Sequence, residues 1–97
     1  MQQSNMEFLK TFNFTVAEIK TITDICEGVC FVDVSRMIEN CKVLVKYGYP
    51  RSDMDFLILA NPCFLVSDAL YLERKIKQIV ANGDDLEELL KADPFLV

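Results

Sequence analysis

Residues 48–66 read Gly48-Tyr49-Pro50-Arg51-Ser52-Asp53-Met54-Asp55-Phe56-Leu57-Ile58-Leu59-Ala60-Asn61-Pro62-Cys63-Phe64-Leu65-Val66. Pro50 suits the start of a helix, where a missing N–H costs nothing. Met54, Phe56, Leu57, Ile58, Leu59 and Ala60 leave almost no polar face, so the helix expected from about Arg51 to Ala60 is predicted to be the most buried element. Asn61-Pro62 stops it, because proline pushes the residue before it out of helical geometry. Ahead of it, Gly48 ends a preceding helix by accepting the left-handed conformation. A helix, an Asx-Pro stop, a short apolar turn and then a longer helix closed by glycine make one unit.

Upstream, Thr15-Val16-Ala17-Glu18 forms a capping box, in which hydroxyl and carboxylate satisfy each other's orphan N–H. Behind it Ile19, Ile22 and Cys26 share a face, and Gly28 is expected to end the helix. The next helix starts near Asp33 to Ser35 and ends at Gly48. Its apolar set of Met37, Ile38, Cys41, Leu44, Val45 and Tyr47 is too wide an arc for one contact, so neighbours are predicted on two sides. Before these, residues 4–12 read as an N-terminal capping helix with Met6, Leu9 and Phe12 inward. Downstream, Ser67 is placed as the cap of a helix reaching Asn82, with Ala69, Leu72, Ile76, Ile79 and Val80 inward and Gly83 closing it. Asp84-Asp85-Leu86-Glu87 reads as a second capping box, opening a short helix ended by Asp93-Pro94.

Sliding the chain by 35 residues pairs Leu9 with Leu44, Phe12 with Tyr47, Phe14 with Tyr49, Ile19 with Met54, Ile22 with Leu57 and Gly48 with Gly83. A slide of 32 lays Asp53-Met54, Leu57-Ile58 and Asn61-Pro62 over Asp85-Leu86, Leu89-Leu90 and Asp93-Pro94. Matched glycines, Asx-Pro stops and capping acids point to an internal repeat, with units of approximately 14–48, 49–83 and 84–97 in a single domain spanning residues 1–97. Leu44…Gly48-Tyr49-Pro50…Asp53-Met54…Leu57…Asn61-Pro62-Cys63-Phe64-Leu65 and its echo Gly83…Asp85-Leu86…Leu89-Leu90…Asp93-Pro94-Phe95-Leu96 resemble the repeat of the mitochondrial transcription termination factor (mTERF) family. The first unit departs from that pattern, with Glu27-Gly28-Val29 where the family places a proline. The resemblance implies an all-α fold of five to six helices. They would stack as a short right- or left-handed α-solenoid of about two and a half helix–turn–helix repeats. It also implies a nucleic-acid role through a basic face.

The 97 residues include 52% hydrophobic and 26% charged side chains, enough for one packed core and too few for two. Fifteen acids against ten bases give a net charge of −5, which opposes a generic nucleic-acid or anionic-membrane binder. With no histidine, the commonest general base and metal ligand are missing. Cys26, Cys30, Cys41 and Cys63 sit in apolar surroundings, and Cys26 and Cys30 lack the second ligand pair that zinc needs. Asp84, Asp85, Glu87 and Glu88 match an acidic first turn rather than a calcium loop. No catalytic, cofactor or metal site is predicted, and the three glycines do not form a phosphate loop.

An N-terminus with no basic start and no apolar core predicts no signal peptide, and the longest apolar run, Phe56 to Ala60, is too short to span a membrane. A reduced cytosolic protein is therefore expected. The function expected is non-enzymatic binding of a macromolecular partner, foremost a protein, since stacked helices offer extended surfaces. The alternative is nucleic-acid binding through Lys42, Lys46, Arg74, Lys75 and Lys77, with Glu73 and Lys77 as an i,i+4 pair in the bland account of the same charges. Phe95-Leu96-Val97 are expected to fold back under Leu86, Leu89 and Leu90, which favours a monomer over a homodimer.

Overall fold

The computed structural model describes residues 1–97 and contains six α-helices and no strand. They are α1 (Gln3–Lys10), α2 (Val16–Ile25), α3 (Val34–Lys46), α4 (Met54–Ala60), α5 (Ala69–Ala81) and α6 (Leu86–Ala92). Short 3₁₀ turns over Glu27–Cys30, Pro62–Val66 and Pro94–Leu96 follow α2, α4 and α6, and a further one, Arg51–Asp53, leads into α4. No helix is long and apolar enough to cross a membrane.

Local chemistry explains the breaks. The Thr15 hydroxyl accepts from the Glu18 amide at 3.1 Å while the Glu18 carboxylate accepts from the Thr15 amide at 2.8 Å, completing the expected capping box. Asp33 and Asp68 cap α3 and α5, each accepting from the amide two residues on at 3.0 Å. Ser67 is therefore not the cap of α5; it lies one residue too early and closes the preceding turn. At α6, Asp85 accepts from the Glu87 and Glu88 amides, but no return bond completes a box.

Gly28 does not end α2 either. Cys26 ends it in extended geometry (φ −136°), and Gly28 lies within the turn that follows. Asn61 (φ −146°) and Asp93 (φ −144°) end α4 and α6 in the same way. Left-handed backbone occurs at Asn13 (φ 61°), Gly48 (φ 98°) and Gly83 (φ 82°), spaced 35 residues apart. Asparagine tolerates this conformation best among residues carrying a Cβ.

The core joins all six helices through residues such as Leu9, Ile22, Leu44, Leu57, Phe64, Leu72, Ile76 and Leu90. α3 is packed by α1 on one side and α5 on the other, as its wide apolar arc requires. Yet part of that arc faces solvent: Ile38 and Val45 are exposed while Val43 and Asn40 are buried. The α4 helix buries Met54, Leu57 and Ile58 but leaves Phe56 exposed, so its apolar run overstates its burial. Met6 and Phe12 are half-buried, as are Ile79 and Val80. The tail folds back only in part, with Val97 against the core and Phe95 and Leu96 exposed.

Two buried asparagines tie helix to turn. Asn5 of α1 donates through Nδ2 to the carbonyls of Val29 (2.9 Å) and Val32 (2.8 Å). Asn40 of α3 donates to Phe64 (2.9 Å), Leu65 (3.0 Å) and Ser67 (2.8 Å). The spans are the same, 24 and 27 residues, for the first and last acceptor in each set. These carbonyls belong to 3₁₀ turns and their ends, where regular backbone partners are sparse (Phe64's also accepts from the Ser67 amide at 3.3 Å), so a buried amide supplies what water otherwise would.

Candidate interaction surface

Helices α1, α3 and α5 meet along two seams that differ in chemistry. At the α3–α5 seam the Glu73 carboxylate accepts from Lys46 Nζ at 2.9 Å and from the Tyr47 hydroxyl at 2.8 Å. These bonds, Lys46's first, hold the Glu73 carboxyl below its ordinary range, and Glu73 in turn raises the pKa of both partners. Lys77 adds only a longer-range attraction, so the i,i+4 pairing with Glu73 is replaced by a bond across helices.

At the α1–α3 seam the positions 35 residues earlier carry Thr11 for Lys46, Phe12 for Tyr47 and Ile38 for Glu73. No polar clasp forms there. Instead there is an open groove of about 540 Å³, floored by Phe8, Phe12, Cys41 and Met54 and flanked by Ile38 and Val45. Phe8 and Phe12 meet edge to face at 5.3 Å, which braces that wall. Lys42 and Arg51 are the charged residues lining the groove, and neither belongs to an ion pair. Burial pushes the Cys41 thiol up to about 12, against the opposing pull of Arg51, so at neutral pH it is a small apolar surface and not a nucleophile.

The five cations singled out from the sequence have different immediate neighbours. Lys42 lines the α1–α3 groove, whereas Arg74 and Lys77 border a shallow depression with Leu70 and Glu73. Lys46 is held by Glu73. Lys75 lies 4.8 Å above the Tyr71 ring. Sequence reasoning missed Asn5, Asn40 and Arg51; the signal for the first two was an asparagine at the same place in helices 35 residues apart. No group of three or more Cys, Asp or Glu side chains converges in metal-binding fashion. Comparison with protein-family models, curated proteins and solved structures gives no match to this chain.

Proposed function

We propose that this chain is a short helical-repeat module of the mTERF-like kind its sequence resembles, and that it binds a protein through the groove between α1 and α3. The repeat reading is supported by the left-handed residues at 13, 48 and 83, by two 13-residue helices with matching aspartate caps, and by the equal spans of the asparagine ties. The binding reading rests on one observation: a seam closed by polar side chains between α3 and α5 is open and apolar between α1 and α3. Exposed Ile38 and Val45 beside a concave apolar floor form a patch of the kind that marks interaction sites. The test is paired capture from cell extract with the wild-type chain and an Ile38→Glu variant of unchanged helicity. A stoichiometric protein held by the first and lost by the second is expected; equal capture by both defeats the groove.

A nucleic-acid reading is favoured by Lys42, Arg74, Lys75 and Lys77 standing outside every ion pair. With Lys46 engaged by Glu73, few phosphates can be neutralised, and each contact contributes about −0.9 to the log–log salt slope. Duplex binding no tighter than about 10 μM at physiological salt is expected. Tighter, salt-sensitive binding lost on Arg74→Ala/Lys77→Ala substitution would make nucleic acid the answer instead.

A further inference from the structure

The chemistry of the open seam narrows the class of partner. We infer that the groove between α1 and α3 receives an amphipathic helix carrying carboxylates beside its apolar stripe, an inference that rests on the protein-binding reading above. The α3 wall runs from Ile38 to Val45, about 10 Å at 1.5 Å per residue. That is two helical turns, the length over which a docked helix presents anchors at i, i+3 or i+4, and i+7. The walls are open: Ile38 is 39% and Val45 45% exposed. A small ligand, which needs most of its surface enclosed, is poorly served by such a trough, whereas a helix covers it with its own backbone and flanks.

Charge sets the second requirement. The α3–α5 seam holds its own carboxylate, Glu73, between Lys46 and Tyr47 and near Lys77. In the α1–α3 seam Ile38 takes the carboxylate's place, while Lys42 remains and Arg51 joins it. Two unpaired cations beside an apolar floor, in a chain of net charge −5, leave this seam locally complementary to acid. The carboxylate that the other seam carries internally is here left for the partner to bring.

The experiment uses two fluorescein-labelled 18-residue helical peptides with the same leucine stripe, one flanked by Glu and the other by Lys, and reads anisotropy against the full chain. The Glu peptide is expected to bind roughly tenfold tighter at low salt, with the gap shrinking at high salt. Lys42→Glu/Arg51→Glu should reverse the order, and Ile38→Glu should weaken both peptides. Equal affinity for the two peptides, with Ile38→Glu still weakening them, overturns the acidic partner and leaves the groove reading standing. Binding indifferent to Ile38→Glu, or no binding of either peptide, overturns both. Saturable one-to-one binding of dodecanoate in place of the peptides would overturn the helix as occupant.

Discussion

Between α3 and α5 a carboxylate, an ammonium and a phenol close the surface; between α1 and α3 the corresponding positions hold Ile38, Thr11 and Phe12, and the surface stays open. The backbone frame is alike in both places: the second helix of each pair is aspartate-capped, and a buried asparagine of the first reaches across to a turn. Three side chains make the clasp in one seam, and their counterparts in the other cannot. A helix–helix seam thus becomes either closed polar structure or an open apolar trough without a change of fold, because the buried frame and the outer rim are built from different residues.

The largest effect should come from breaking the frame beneath both seams. Asn40→Ala removes three bonds to turn carbonyls, of which Phe64's keeps the Ser67 amide at 3.3 Å, and is expected to cost about 3 kcal/mol. Asn5→Ala strands two and should cost about 2 kcal/mol. Urea titration of both variants gives the order, and equal losses would show that the ties do not scale with the bonds counted. Next comes conversion of one seam into the other. Thr11→Lys/Phe12→Tyr/Ile38→Glu should rebuild the clasp between α1 and α3, keep stability within about 1 kcal/mol, and lower peptide affinity more than tenfold. A stable variant that still binds the Glu peptide would uncouple the groove from the clasp.

The pH dependence separates the seams more finely. Because Glu73 has a folded-state pKa below its ordinary 4.5, its contribution is present above pH 4.5 and is lost as pH falls through the lower folded value. Lys46, raised above 10.5, contributes fully below that pH and loses its share as pH climbs through the folded value. Melting curves of Glu73→Gln and wild type should therefore converge in acid and separate near neutrality; a constant offset would place the effect elsewhere. The smallest change should be Lys91→Met. Lys91 reaches Asp53 at 3.2 Å and Glu87 at 3.5 Å, away from either seam. Its exposed ammonium should give a slight fall in Tm that 1 M salt erases.

How far the sequence speaks depends on the distance over which each signal acts. The Thr15–Glu18 box, the glycines at 48 and 83 and the Asn61-Pro62 stop involve neighbours in the chain, and each forms where expected. Ser67 and Asp68 are both good caps one residue apart, and only the backbone register chooses Asp68. Asn5 and Asn40 look like surface residues until the turns they serve fold against them from 24 or more residues away. The partner of Glu73 was misassigned for a related reason. Lys77 is close along the helix, but Lys46 comes from the neighbouring helix, 27 residues earlier, and wins the bond. Ile38 and Val45 fit a core pattern as well as a groove; which one they serve is fixed by the side chains facing them on α1.

The asparagine ties also set an order of opening. The turn over Pro62–Val66 is gripped by three side-chain bonds from Asn40, the turn over Glu27–Cys30 and its end by two from Asn5, and the turn over Pro94–Leu96 by a single bond from Asn61 to the Pro94 carbonyl at 2.9 Å. Amides around Phe95 should therefore exchange with solvent first, those around Val29 later, and those around Phe64 only when the chain opens as a whole. The middle turn is then the slow clock of the molecule. The apolar groove, on the α1 side, should open on the intermediate time.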